Sequence, residues 1–237
     1  VANNYFQFKE FKIIQDQCAM KVTTDGCLFG ALIQAPDTLT EALDVGTGTG
    51  LLSLMVAQRI PSIPIDAIEI DKNAYHQAKE NIAVSKWSSQ IKVHHTPLQQ
   101  FTIDKKYELI FTNPPFFKDH LKGKNAQRNQ AIHNELLPFD ILAIKIKALL
   151  AHHGYFWVMY PAFEMIQFII QCEKVGLFPQ LEYTIKNQSN GEIFRQVICF
   201  GHNKTKGIKS EQITIRNEQN TYTDEFIRLL KSYYLDL

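Results

Sequence analysis

The chain has 237 residues, 45% of them hydrophobic and 21% charged, which at roughly 100–200 residues per domain leaves room for one large domain or two small ones. That composition excludes collagen-like, low-complexity and wholly disordered chains. Lys and Arg number 25 against 24 Asp and Glu, a net charge of +1, so a basic coat over the whole molecule is excluded while a local basic patch is not.

From Glu41 onward apolar runs alternate with helical stretches. Glu41–Val45 reads as a buried strand, followed across a glycine turn by a helix over Leu51–Arg59. The next strand is Ile65–Ile70, and Asn73–Val84 is a helix with Ala74, Ala78 and Ile82 on one face. Ile91–His95 and Tyr107–Thr112 are two more strands, Pro138–Leu150 is a strongly apolar helix, and Tyr155–Tyr160 is a strand rich in aromatics. The rhythm then changes. Phe178–Ile185 and Ile193–Phe200 are strands separated by the polar cluster Asn187–Gly191, the mark of an antiparallel hairpin at a sheet edge. The pattern predicts an α/β sandwich, a mostly parallel seven-stranded sheet with a C-terminal antiparallel hairpin and helices on both faces. No repeat or long polar linker divides it, so residues 41–237 are read as one domain carrying an N-terminal extension, 1–40.

Cys18, Cys27, Cys172 and Cys199 include no C-x-x-C pair, and none has a histidine at zinc-ligand spacing. Buried reduced thiols in a cytoplasmic protein are expected. His94-His95 and His152-His153 lack companion ligands at helical spacing and are read as surface or strand-end residues, so no metal is called for. No apolar run approaches the ~18–20 residues of a membrane helix, and Val1–Phe11 lacks a signal-peptide layout. A start at Val rather than Met is what a processed or trimmed N-terminus gives.

Leu43-Asp44-Val45-Gly46-Thr47-Gly48-Thr49-Gly50 lies between the first strand of the alternating run and its helix. Glycines there permit positive φ and close approach to a ligand. A strand–glycine loop–helix unit serves several kinds of nucleotide site, and a tight turn without a ligand has the same sequence. A dinucleotide fingerprint beginning at Gly46 would need Gly or Ala where Leu51 stands, and no Gly-Lys-Ser/Thr follows. Asp44 puts a carboxylate where a pyrophosphate is repelled and an ammonium is welcome. S-adenosylmethionine, with its ammonium and sulfonium, suits such a loop. Glu69 ends the second strand, at the same crevice, where a carboxylate can accept from both ribose hydroxyls.

Asn113-Pro114-Pro115-Phe116 follows the fourth strand. Two prolines remove two backbone donors and fix φ, which leaves carbonyls and the Asn side chain as rigid acceptors. The Asn113 side-chain oxygen and the Pro114 carbonyl can each accept one hydrogen from a planar amine, and Phe116 can stack on its ring. This device positions an amine rather than acting as a general base. Alone, the tetrapeptide also fits a structural Pro-Pro turn.

Asp44–Gly50, Glu69 and Asn113–Phe116 resemble the Class I S-adenosylmethionine-dependent amino-methyltransferases over roughly Glu41–Tyr160. The N-terminal segment narrows the resemblance. Phe8-Lys9-Glu10-Phe11, Gln15-Asp16-Gln17-Cys18-Ala19-Met20-Lys21-Val22 and Thr24-Asp25-Gly26 are similar to the bacterial tRNA(Val) adenine-N6-methyltransferases, as is Tyr222–Leu237 with Phe226 and Tyr233-Tyr234. The resemblance implies a Rossmann-like fold, S-adenosylmethionine as cofactor, and methylation of the N6 amine of the adenosine at position 37, immediately 3′ of the anticodon, by a monomeric cytoplasmic enzyme. It implies further that the extension 1–40 packs on the cofactor site and that Lys21, Thr24 and Asp25 border the cofactor's methionine end. The cofactor set is then completed by Asp44, Gly46, Thr47, Gly48, Gly50, Glu69, Leu98 and Asn113. Many relatives hold the cofactor's adenine with an acidic residue after the third strand. Thr96-Pro97-Leu98 stand there in this chain, so that contact is expected from backbone or a water.

Phe117–Arg128 holds Lys118, Lys122, Lys124 and Arg128 against a single acid, Asp119, and can grip phosphates beside an extruded base. His202–Lys209, with Lys204, Lys206 and Lys209, is a second basic stretch. Either also reads as a solvated loop. Competing readings keep the chemistry and change the substrate to a protein glutamine amide or an rRNA base. A further one keeps the fold as a non-catalytic RNA-binding module. The glutamine class carries a separate N-terminal helical domain, which 40 residues cannot supply.

Overall fold

The computed structural model describes residues 3–18, 20–36, 38–115 and 137–237. Tyr5–Gln7 (β1) and Lys12–Ile14 (β2) form a two-stranded antiparallel ribbon, followed by helix Thr24–Leu32 (α1). Ala42–Val45 (β3), Leu51–Arg59 (α2), Ile65–Glu69 (β4), Lys72–Ala83 (α3), Ile91–His95 (β5) and Tyr107–Thr112 (β6) alternate as the sequence predicts. Phe139–Leu149 (α4), Leu150–Tyr160 (β7) and Ala162–Lys174 (α5) come next. Phe178–Gln188 (β8), Ile193–Gly201 (β9), Lys209–Arg216 (β10) and helix Asp224–Leu230 (α6) complete the described chain.

The large sheet has eight strands in the order β10-β8-β9-β7-β6-β3-β4-β5. β9 pairs antiparallel with both β7 and β8, and every other pairing is parallel, so β9 alone runs against the rest. The expected hairpin is β8–β9. The sheet exceeds the expected seven strands because β10 returns through residues 202–208 to pair parallel with β8. The edge on that side is therefore β10, not the hairpin.

Strand alternation sends side chains to two cores. Ala42, Ile65, Ala67, Leu109, Phe111, Val197 and Ile213 meet α1, α2, α3 and α6 on one face. Leu43, Ile68, Ile110, Phe156, Val158 and Phe200 meet α4 and α5 on the other. The N-terminal ribbon belongs to the first core, in which Phe8 and Ile13 are fully buried. Cys27, Cys172 and Cys199 are buried free thiols, and Cys18 is half-buried and free. On the second face Asp66 accepts from Tyr107 at 2.8 Å and pairs with Lys105 at 2.8 Å and His94 at 2.6 Å. Burial alone would raise the Asp66 carboxyl, but these three partners hold it below the usual carboxylate range. His94 is thus a strand-end hydrogen-bond partner of Asp66.

Candidate active site

β4 and β5 extend the sheet from one side of β3, and β6 then crosses back to its other side. The strand order reverses at β3, and a crevice opens beyond the carboxyl ends of the strands. The loops after β3 and β6 both enter it. Val45 and Thr112, the last residues of those two strands, are register partners, and the Thr112 hydroxyl donates to the Val45 carbonyl at 2.7 Å.

The glycine loop turns with Gly46, Gly48 and Gly50 at φ of +71°, +59° and +84°. A side chain at Gly48 would stand in open space, so the requirement there is for the left-handed backbone and the bare approach it gives a ligand. Gly50 N-caps α2 in the same conformation. The Gly46 and Thr47 amides donate to the Ile68 carbonyl at 2.9 and 3.0 Å, fastening the loop to β4.

Asp44 is fully buried on the α2 side of β3. Its Oδ2 accepts from the Thr47 and Ser53 hydroxyls, both at 2.7 Å, while Oδ1 is buried without a hydrogen-bond partner. Burial pushes the carboxyl up to about 6, the two hydroxyl bonds pull it back, and the charge of Glu69 adds a smaller upward push. An orphaned carboxylate oxygen inside a glycine cradle is what the ammonium of S-adenosylmethionine needs, so the donor set fits that cofactor. Glu69 accepts the Gly48 amide at 2.8 Å through Oε2, and the Ile70 and Asp71 amides at 2.8 and 2.9 Å through Oε1. Three backbone donors aim this carboxylate and leave capacity for hydroxyl donors. Glu69→Ala is expected to weaken S-adenosylmethionine binding by about 1–3 kcal/mol. Calorimetric titration measures this, and an unchanged affinity in folded variant would remove Glu69 from the cofactor set.

Asn113 projects from the end of β6 with its Oδ1 buried and unpartnered, Pro114 is buried and Pro115 exposed. The first turn of α1 packs on it, since a Cβ at Gly26 would lie 3.9 Å from Asn113 Nδ2. That turn is capped by Thr23, whose hydroxyl accepts the Gly26 amide at 3.2 Å. Lys21 is exposed just ahead of it, and Thr24 is exposed within it. Asp25 is engaged elsewhere: its Oδ2 pairs with Arg195 Nε at 2.8 Å. The Leu98 side chain is buried in the second core, so only its backbone is left to face a cofactor adenine. Phe116, Lys118, Lys122, Lys124 and Arg128 lie outside the described residues. Among the described residues no group of three or more His, Cys, Asp or Glu could hold a metal ion. Burial first, then the charges of Glu69, Asp71 and Asp16, push the Cys18 thiol up to about 11.

Three residues that hold the site are not among the sequence candidates. Ser53 secures Asp44 from inside α2. Asn81 of α3 donates to the Thr49 and Ile14 carbonyls at 2.9 and 2.8 Å and accepts the Ile14 amide at 2.9 Å. Its one side chain thereby joins the N-terminal ribbon to the glycine loop. Gln77, one turn earlier, accepts the Gln17 amide at 3.0 Å. Polar residues four apart on a predicted helix are the one sequence signal for that pair.

Residues 27–137 match the family described as the methyltransferase small domain. A tRNA1(Val) (adenine(37)-N6)-methyltransferase of Pseudoalteromonas translucida is 39% identical over 98% of the chain and 99% of its own length. One from Trichodesmium erythraeum is 39% identical over 99% of each chain, and one from Flavobacterium psychrophilum 36% over 98% of this chain and all of its own. Among solved structures, a predicted O-methyltransferase, protein Atu636 of Agrobacterium tumefaciens, superposes with a TM-score of 0.65 at 14% identity. That match covers 90% of this chain and 99% of the other. The glycopeptide N-methyltransferase MtfA, in complex with S-adenosylmethionine, gives 0.56 at 9% identity over 76% and 93%. These two likenesses concern the fold.

Proposed function

The chain belongs to the family of tRNA1(Val) (adenine(37)-N6)-methyltransferases, and from that membership we propose that it methylates the N6 amine of an adenosine in tRNA, the one at position 37 of tRNA(Val), with S-adenosylmethionine as methyl donor. The observation that carries the reading is the pair of buried, unpartnered acceptors, Asp44 Oδ1 and Asn113 Oδ1, at the ends of two adjacent strands. One suits the cofactor's ammonium and the other an incoming amine. When bound, S-adenosylmethionine supplies an electrophilic methyl group on a sulfonium.

The chain's own residues do the rest. Asn113 Oδ1 and the Pro114 carbonyl accept the two hydrogens of the exocyclic amine and turn its lone pair out of conjugation with the ring. No general base is required, because an amine that has gained a methyl group is acidic and releases its proton to water. The glycine loop with Asp44 and Glu69 fixes the donor side, and Phe116 is assigned to stacking on the adenine. Lys118, Lys122, Lys124 and Arg128 are assigned to phosphates flanking the extruded base, in a monomer working in the cytoplasm. No helix among the described residues is long and apolar enough to cross a membrane.

Ahead of β3, the ribbon and α1 pack as parts of the first core. Incubation with methyl-labelled cofactor and total tRNA lacking the modification, followed by nucleoside mass spectrometry, tests the reading. The expected product is N6-methyladenosine. Label in protein, or in another nucleoside, would overturn it.

A further inference from the structure

A cleft of about 490 Å³ opens between the first turn of α1, the carboxyl ends of β8 and β10 and the amino end of β9. Its lining includes no glycine-loop residue, and Asp25 in it is followed by Gly26, which packs on Asn113. Thr112 pairs with Val158 of β7, and Val158 with Ile198 of β9. β9 runs the other way, so Arg195 stands three residues nearer the crevice than Ile198 and two strands from β6. Two strands at ~4.8 Å and three residues at ~3.3 Å put it about 14 Å from Thr112, a separation that about two nucleotides of an extended RNA strand span.

The cleft wall is built from planar groups. Phe226 is fully buried, and Tyr222 stacks on it with ring centroids 4.5 Å apart at 17°. The Arg216 guanidinium lies 4.2 Å from the Tyr222 centroid and donates to the Asn220 carbonyl at 2.6 Å. An isolated antiparallel bridge joins the Arg216 and Tyr222 backbones, and Asn217 Oδ1 closes the intervening turn by accepting the Gln219 and Thr221 amides. The guanidinium is therefore held over the ring before any ligand arrives. Across the cleft, Arg195 is fixed by Asp25, and the exposed amides Asn187 and Gln188 end β8. The lining thus carries two guanidiniums against one carboxylate.

We propose that this cleft is a second RNA subsite, which takes an unpaired nucleotide flanking the target adenosine. Its base stacks on the Arg216 guanidinium, its edge meets Asn187 and Gln188, and the net positive lining suits its phosphate. A preformed guanidinium plane backed by two rings is a platform for a nucleobase, and the cleft's volume lies in the range of small-ligand sites. The subsite also accounts for Asp25. Its pairing to Arg195 joins the cleft wall to the helix that packs on Asn113, so the flanking nucleotide and the target amine are registered on one rigid element.

This inference rests on the tRNA reading, and its test separates the two. With an unmodified anticodon stem-loop as substrate, Arg216→Gln is expected to raise KM about tenfold or more. We expect kcat to stay within about twofold, with calorimetric cofactor affinity unchanged. The slope of log affinity against log salt should shrink by about 0.7. Arg216→Lys should restore the slope but not the KM, because an ammonium cannot stack as a plane. Should the variants fail to fold, two wild-type photo-crosslinking substrates, each with a thiouridine on one side of the target adenosine, keep the question open to decision. One of them is expected to label a peptide within 187–222. Wild-type methylation accompanied by an unaltered KM and slope in Arg216→Gln, or by crosslinks confined to other peptides, overturns the subsite alone. A wild-type protein that neither binds nor methylates the stem-loop overturns the tRNA reading.

Discussion

Asn113→Ala is expected to lower the methylation rate about 10²–10³-fold while S-adenosylmethionine binds as it does to the wild type. The asymmetry follows from where Asn113 points. Its Oδ1 is buried without a partner among the described residues, so removing that oxygen breaks no hydrogen bond among them, and the Thr112–Val45 bond that joins the two loops does not involve it. What is lost is one of two preorganised acceptors for the amine. Asn113→Asp keeps an acceptor in the same place and should retain more activity than Asn113→Ala. Single-turnover kinetics with saturating cofactor and RNA measure the chemical step directly. A normal rate in Asn113→Ala would end the amine-positioning mechanism.

Asp44→Asn should loosen the cofactor and tighten the empty protein. Loss of the charge facing the ammonium is expected to weaken S-adenosylmethionine binding by about 1–3 kcal/mol. The stability effect has the opposite sign. Burial raises the carboxyl from its ordinary 3.8 to about 6, so the folded protein holds this proton more tightly than the unfolded chain. Its contribution to stability is full below the unfolded value and is lost as pH rises through about 6. At pH 7 the ionised group opposes folding by about 2–3 kcal/mol, a cost the neutral amide avoids while still accepting from Thr47 and Ser53. Scanning calorimetry of the cofactor-free variant should show a raised Tm. Cofactor binding favours the ionised form, so wild-type affinity should climb with pH through about 6 and then level off. The variant's should stay flat. Equal affinity in both proteins at pH 7 would detach Asp44 from the ammonium.

The parts of this molecule that are legible in sequence are those whose signal is local. Ile65–Glu69 is buried along its whole length and is marked by Ile65, Ala67 and Ile68, and the glycine loop and the Pro-Pro turn are short-range punctuation. Six elements escape, β1, β2, α1, α5, β10 and α6, and three of them show the physical reasons. α1 buries six of its nine residues, Gly26, Cys27, Leu28, Phe29, Gly30 and Leu32, so no polar face marks a helical period. α5 exposes Phe163, Ile166 and Ile170, which blurs its apolar stripe. β10 buries only Ile213 and Ile215, and its pairing with β8 depends on a hairpin formed earlier in the chain. Within the site, Asp44, Glu69 and Asn113 announce themselves by type and position. Ser53 and Asn81 do not, because a serine or asparagine inside a helix has no distinctive neighbours until the fold brings them. The Asp25–Arg195 pair spans 170 positions and is invisible to any local reading.

The Thr112–Val45 register turns the sheet into a ruler. The loop proposed to hold the methyl donor and the turn proposed to hold its acceptor leave neighbouring strands at the same level, one inter-strand spacing apart. That spacing is set by backbone hydrogen bonds and is the same in any protein with this strand order. Side-chain changes at the rim cannot lengthen it. The gap the methyl must cross is thus insulated from whatever covers the crevice, and the covering segments are free to diverge. A new substrate can be acquired by exchanging rim residues such as those after β8 and β10, with the reaction distance inherited unchanged. Exchanges at the rim should therefore move substrate preference far more readily than they move the rate at which a correctly seated amine reacts.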